Sequence, residues 1–123
     1  MVCNLKLNIM NDPEFTGIYA FIRHTAEFYH RNRGFLFDGE MLSPDGFDCS
    51  SREVKFMMRM IFTKESNFKV NTRTMPSLLH SCWMDRDGNR ALFIANYTEE
   101  EQKWSFRGKK DVIAPRSYVK IGI

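Results

Sequence analysis

The segment Asp85–Phe106, DRDGNRALFIANYTEEEQKWSF, carries the strongest fold signal of the chain. Asp87-Gly88 lies between two β-rich runs, which is typical of a β-hairpin, and the type I′ turn predicted there needs positive φ at both central residues. We predict that SCWMD, residues 81–85, pairs with RALFIANY, residues 90–97, and that one side of RALFIANY faces the core. QKWSFRG, residues 102–108, alternates like a further strand. Because this segment contains no group of side chains suited to catalysis, we expect its role to be structural.

The same two-residue period continues through the chain from Phe35 onward. Further strands are predicted in REVKFMMRMIFT, FKVNT, SLLHSCWMD and VIAPRSYVKIGI, with breaks at Pro76 and at Ala114-Pro115, because proline does not fit a central strand. About seven antiparallel strands with short links are typical of a β-sandwich of Greek-key or jelly-roll type. We predict an N-terminal segment and helix over residues 1–34 and an antiparallel β-sandwich over residues 35–123, together one globular unit.

A helix of about six turns is predicted from Asp12 to roughly Gly34. Asp12 would be the N-cap, Pro13 would take the first helical position, and Glu14 would lie at the positive end of the helix dipole. Gly34 would end the helix. The apolar stripe contains Phe15, Ile18, Tyr19, Ile22, Ala26 and Tyr29, and Phe21 and Phe28 widen it to about half of the cylinder. Such a broad arc predicts contact with more than one neighbour, part of it outside this chain.

Composition excludes several classes of protein. The 123 residues carry 18 Lys and Arg against 15 Asp and Glu, a net charge of +3, and the charges are scattered rather than clustered. We therefore predict no nucleic-acid partner, and without an apolar run of about 20 residues we predict no membrane partner. Cys3, Cys49 and Cys82 are few and far apart, which favours free thiols over disulfides or a zinc site. No signal peptide is evident, so the sequence leaves the compartment open.

Catalytic and metal-binding motifs are missing from the sequence. His24 and His30 are six residues apart and do not share a helix face as metal ligands at i and i+4 would. Asp38 and Glu40 are better explained as turn and cap residues, and Glu99, Glu100 and Glu101 as a solvated turn. We therefore predict no catalytic residues, no metal site and no cofactor.

Aromatic side chains are the one candidate for a binding site. Trp83, Trp104 and Tyr97, with Tyr118 beside them, could form a flat surface on which a sugar ring stacks. The alternative is that the same rings pack between the sheets. The sequence leaves both open, so Trp83, Trp104 and Tyr97 are the candidate substrate-binding residues.

Three segments of the sequence resemble the C-terminal end of TIM-barrel glycoside hydrolases. They are FIRHTAEFYHRNRGFLFDGEMLSP, HSCWMDRDGNRALFIANYTEEEQKWSF and DVIAPRSYVKIGI. In those enzymes the last barrel helix is followed by a small antiparallel sandwich, and the resemblance covers roughly residues 12–123. None of the matching segments is catalytic. The two catalytic carboxylates of those families lie on barrel strands that this sequence does not contain.

The resemblance implies a non-catalytic C-terminal β-sandwich domain of a glycoside hydrolase that supports a barrel absent from this chain. The implied partner is that catalytic barrel, or another copy of the chain, bound through the apolar face of the helix. The alternative function is a carbohydrate-binding module that uses exposed Trp and Tyr. On either hypothesis the chain is not an enzyme by itself. The third hypothesis is a small enzyme of unknown type, which would need a concave pocket with two acids within about 10 Å of each other.

Overall fold

The computed structural model describes residues 16–58 and 69–123. The predicted fold class is confirmed: the described residues are mainly strands in three antiparallel sheets, with one long helix near the N-terminus. Their elements, in chain order, are α1 (Thr16–Arg31), α2 (Arg33–Leu36), β1 (Glu40–Leu42), β2 (Phe47–Cys49), β3 (Ser51–Met58), β4 (Lys69–Pro76), β5 (Leu79–Met84), β6 (Arg90–Asn96), β7 (Gln102–Phe106), β8 (Lys109–Ile113) and β9 (Ser117–Gly122). The described part thus has nine strands rather than about seven, because β1 and β2 are three residues long and too short to show a period.

The strands form a four-stranded sheet in the order β1-β5-β6-β9, a three-stranded sheet in the order β2-β7-β8, and the pair β3-β4. The chain divides into two compact units. In the described residues, the first unit holds 16–44, His80–Ile94 and Tyr118–Ile123, and the second holds 45–58, 69–79 and Ala95–Ser117. The predicted division at residues 34 and 35, and the predicted single globular unit, stay predictions.

β6 is buried on both faces where the sequence predicted one buried side. Its four consecutive residues from Ala91 to Ile94 are all buried. Successive side chains of a strand point to opposite faces, so a strand with this pattern is covered on each side. The prediction of one buried side was wrong because the four residues from Ala91 to Ile94 are all apolar and show no alternation.

The predicted hairpin at Asp87-Gly88 is present, but its turn is not type I′. Asp85 N–H donates to Asn89 O (2.9 Å) and Gly88 N–H to Asp85 O (3.1 Å), which leaves a three-residue loop. Of the two central residues only Gly88 has positive φ, at 84°. This is the loop in which a type I turn is followed by a left-handed glycine. The Asp85 carboxylate selects it by accepting hydrogen bonds from the N–H groups of Asp87 (3.0 Å) and Asn89 (2.9 Å).

The long helix ends earlier than predicted. α1 stops at Arg31, and Asn32 leaves helical geometry with φ −109° and ψ 21° before α2 begins. The Asn32 side chain donates to Phe28 O at 2.9 Å and so satisfies a carbonyl of the last turn. Gly34 lies inside α2 and is not the stop, so that prediction was wrong. The predicted helix start, Asp12 to Phe15, lies outside the described residues, as does the end of the predicted strand beyond Met58.

Candidate interaction surface

One edge of α1 packs on aromatic side chains of the first unit. Phe21 and Phe28 both stack on Tyr118, with ring centroids 5.6 and 5.2 Å away. Phe28 also meets Phe93 edge to face at 5.9 Å. The Thr25 and Tyr118 hydroxyls are hydrogen-bonded to each other. This edge of the helix is therefore fixed by ring packing and by a polar contact that the sequence analysis did not foresee.

The neighbouring edge of α1 is apolar and exposed. Ile18, Ile22 and Tyr29 are 49%, 58% and 37% exposed. At about 100° per residue, the mean direction of these three side chains lies about 90° around the helix from the mean direction of Phe21 and Phe28. We call these three residues the exposed stripe. The sequence predicted these three residues at the centre of the buried arc and the two phenylalanines at its margin. In the structure the phenylalanines make the contacts with Tyr118 and Phe93.

The opposite side of α1 is polar. Arg23 and Glu27 form an ion pair at 3.1 Å between Nε and Oε1, one turn apart on the exposed surface. His24 and His30 are exposed. The helix thus carries a packed aromatic edge, the exposed stripe and a charged opposite side, the arrangement of an amphipathic docking face.

The three aromatic residues predicted to bind sugar are divided between the two units. Trp83 belongs to the first unit, is half-buried, and donates its indole N–H to Ser81 Oγ at 2.9 Å. Trp104 and Tyr97 belong to the second unit and line two different cavities. Trp104 is only 6% exposed and stacks with Phe47 at 6.2 Å. The hypothesis of a sugar-binding surface stays a prediction, but little of the Trp104 indole is open to a ligand.

Three carboxylates, those of Asp85, Asp38 and Glu99, have structural partners of ordinary kinds. Asp85 has a lowered pKa, chiefly because the Asn89 side-chain amide donates to its carboxylate at 2.8 Å. Asp38 accepts a hydrogen bond from Arg86 at 3.3 Å, and Glu99 forms an ion pair with Arg116. Within residues 16–58 and 69–123, no group of three His, Cys, Asp or Glu side chains is arranged to hold a metal ion.

Comparison with known proteins identifies no similar protein. No family model matches the sequence, and neither the curated proteins nor the solved structures contain a match. The resemblance to glycoside hydrolases therefore stays a prediction. In the part of the chain that the structure describes, no helix combines the length and apolar character needed to cross a bilayer.

Proposed function

We propose that this chain is a non-catalytic accessory module that binds another protein domain through the exposed stripe of α1. The single observation that supports the proposal is the division of one helix into two apolar edges. Phe21 and Phe28 use one edge within the chain, and Ile18 and Ile22 on the other are about half exposed. Contiguous apolar surface of this kind is typical of an interaction site in a globular protein.

The apolar surface that the exposed stripe still leaves open is large enough to favour binding. Fully burying a side chain of the size of Ile contributes about 1.5 to 3 kcal/mol, and Ile18, Ile22 and Tyr29 each have a third or more of that surface still to bury. Because the packed edge already fixes the helix on the unit, little ordering entropy is lost on binding. A partner with a complementary apolar groove would therefore gain several kcal/mol from this helix alone.

The proposed partner is the catalytic barrel of a glycoside hydrolase. This step comes from the resemblance of residues 12–123 to the last barrel helix and the sandwich that follow such barrels. In that arrangement a final helix has to contact the barrel on one side and the sandwich on the other, which would account for two apolar edges on one helix. A second copy of the chain is the competing occupant.

A mixing experiment tests this function. A glycoside hydrolase barrel expressed without its own C-terminal sandwich is heated alone and with this chain in excess, and its unfolding is followed by calorimetry. We expect the added chain to raise the melting temperature of the barrel, because a ligand that binds only the folded state stabilises it. If the melting temperature of the barrel is unchanged and light scattering shows that the chain forms dimers, the partner is a second copy of the chain and not the barrel.

The same preparation tests whether the chain is an enzyme. We expect no turnover of a panel of nitrophenyl glycosides by the isolated chain, because the acid and nucleophile of a barrel are missing from its sequence. Reproducible hydrolysis that a single Asp or Glu substitution abolishes would contradict the proposal of a non-catalytic module.

A further inference from the structure

The second unit contains a polar cavity of about 630 Å³ that the sequence analysis did not predict. This volume is in the usual range of small-molecule sites. The cavity lies where β3 begins, where β4 ends and where the connections before β7 and β9 pass. Its lining includes two arginines, Arg52 and Arg116, two glutamates, Glu99 and Glu100, and the Tyr97 ring, with hydroxyl and amide side chains between them.

Asn96 fixes the backbone beneath the cavity. It is fully buried, and its amide nitrogen donates to the carbonyl oxygens of Glu100 (2.8 Å), Ala114 (2.9 Å) and Ile113 (3.2 Å). Its oxygen accepts from Thr98 N (2.9 Å) and Thr98 Oγ1 (2.7 Å). One side chain thereby ties the connection before β7 to the connection before β9, so that the residues carried by both loops are held in place.

A chain of hydrogen bonds continues from Thr98 along the wall. Gln102 Nε2 donates to Thr98 Oγ1 at 3.2 Å, and Ser50 Oγ lies 3.0 Å from Gln102 Oε1 and 2.9 Å from Ser77 Oγ. Ser77 N–H donates to Ser50 O at 2.8 Å. The connection before β3, the connection after β4 and the start of β7 are thus linked through the Gln102 amide and the hydroxyls of three residues, which holds the wall in place before any ligand arrives.

Arg116 has an unusual backbone at the rim. Its φ is 47°, in the left-handed region that residues other than glycine seldom adopt. The surrounding structure holds it there, because its N–H donates to Thr98 O at 3.1 Å and its guanidinium pairs with Glu99 Oε1 at 2.5 Å. Strained residues that their neighbours hold in this way are concentrated at binding and active sites.

Other lining groups have hydrogen-bonding capacity that the described residues leave unused. The Arg52 guanidinium lies over the Tyr97 ring, 5.9 Å from its centroid. Tyr97 is itself fixed by a hydrogen bond from its hydroxyl to Pro76 O at 2.5 Å. Among the described residues, the Ser51 hydroxyl and the Glu100 carboxylate have no hydrogen-bond partner within the protein. The cavity therefore offers a ligand the Arg52 guanidinium, the Glu100 carboxylate, the Ser51 hydroxyl and part of the Tyr97 ring.

We propose that this cavity is a binding site for an uncharged saccharide. Two guanidiniums, Arg52 and Arg116, are balanced by two carboxylates, Glu99 and Glu100, so the lining favours a neutral ligand over an anion or a cation. Sugar hydroxyls both donate and accept hydrogen bonds, and they suit a wall that mixes guanidinium donors with carboxylate acceptors. The Tyr97 ring can take the apolar face of a sugar.

This site is independent of the docking surface on α1. It uses only residues of the second unit, whereas the docking surface uses only residues of the first. It includes Tyr97 but neither Trp83 nor Trp104, so it also differs from the aromatic surface predicted from the sequence. Loss of saccharide binding would consequently leave the accessory-module proposal unaffected, and the reverse also holds.

Calorimetric titration with neutral oligosaccharides of glucose, xylose, mannose and galactose tests the site, with the matching uronic acids and inorganic phosphate as charged probes. We expect at least one neutral series to bind. Arg52→Gln and Glu100→Gln should each weaken binding about tenfold or more, since each removes a charged hydrogen-bonding group. Lys103→Gln is the matched control, because it also removes one exposed charge but lines a different cavity, and it should leave the affinity unchanged.

Tyr97 supplies a second check. Tyr97→Phe keeps the ring and should retain most of the affinity, and Tyr97→Ala should lose it while circular dichroism verifies that the variant is folded. The proposal is overturned if no neutral oligosaccharide binds at millimolar concentration, if only the charged probes bind, or if Arg52→Gln and Glu100→Gln bind as tightly as Lys103→Gln.

Discussion

Phe28 stacks on Tyr118 with the ring centroids 5.2 Å apart and the rings inclined by 24°. Tyr29, the next residue of the same helix, is exposed. The contact between Phe28 and Tyr118 joins α1 to the last strand of the four-stranded sheet and decides which edge of the helix remains open. The proposed docking function depends on this contact, because a helix that rotated on the unit would not present Ile18 and Ile22 together.

Phe28→Ala should reduce the free energy of unfolding by about 2 kcal/mol, since a half-buried ring with two aromatic neighbours is removed. Ile22→Ala, on the exposed stripe, should cost about 0.5 kcal/mol or less. Urea denaturation of each variant measures its loss of unfolding free energy relative to the parent. Equal losses would mean that Ile22 is as well packed as Phe28, and the exposed stripe would not exist.

Gly39 is predicted to be intolerant of a side chain. A methyl group there would collide with the backbone oxygens of Phe35 and Met84, and backbone atoms cannot move aside cheaply. We expect Gly39→Ala to destabilise the chain by about 2 kcal/mol or more. Gly34→Ala is the control, because it has open space around it and should be neutral or stabilising by up to about 1 kcal/mol. Thermal melts in which both variants match the parent would contradict this account of the turn before β1.

The Asp85 carboxyl gives the hairpin a pH dependence. Its pKa lies below the ordinary value of 3.8 in the folded chain, mainly because of the Asn89 amide. A lowered folded pKa stabilises the fold above the unfolded pKa, and this contribution is lost as the pH falls through the folded value. Asn89→Ala should raise the pKa of Asp85 towards the ordinary value, as measured by NMR titration of its carboxyl carbon. Arg86→Ala removes a charge from the same loop but no hydrogen bond to Asp85, and it should shift that pKa less.

Trp104→Ala should destabilise the chain by about 3 kcal/mol or more, because the indole is buried and stacked on Phe47. Denaturant melts measure the loss, and a glycan array run on the same protein reports any change in sugar binding. If the variant melted like the parent and lost binding to glycans, Trp104 would be an exposed sugar-binding ring instead.

Sequence periodicity predicted the class of the fold but not which apolar residues are packed. In α1, Ile22 and Phe28 are both apolar. Phe28 is packed because it meets Tyr118, which lies 90 residues later in the chain, whereas Ile22 is exposed. The hairpin was predicted from Asp87-Gly88, and its turn type was missed because the Asp85 carboxylate reorganises the loop. The tight turn at Arg107-Gly108, where both residues have positive φ, was missed because arginine seldom adopts that conformation.

The saccharide site lay beyond sequence reasoning for a related reason. Its polar residues come from segments as distant as Arg52 and Arg116, and each of these segments has the pattern of an ordinary strand end or turn. Such residues carry no local spacing that distinguishes a binding group from a solvated one. The strand pairing of β3 with β4 places Arg52, and the hydrogen bonds of Asn96 join the loops before β7 and β9, so that these residues surround one cavity.

The most direct test of the docking proposal is the affinity of this chain for a glycoside hydrolase barrel that lacks its own C-terminal sandwich, measured by biolayer interferometry with Ile22→Asp and His24→Asp. Both variants place one new carboxylate on the exposed surface of α1, but only the first lies on the exposed stripe. We predict that the parent and His24→Asp bind alike and that Ile22→Asp binds about tenfold or more weakly, since a charge would be buried at the contact. Equal affinities for all three proteins, or no binding by any of them, would contradict the account.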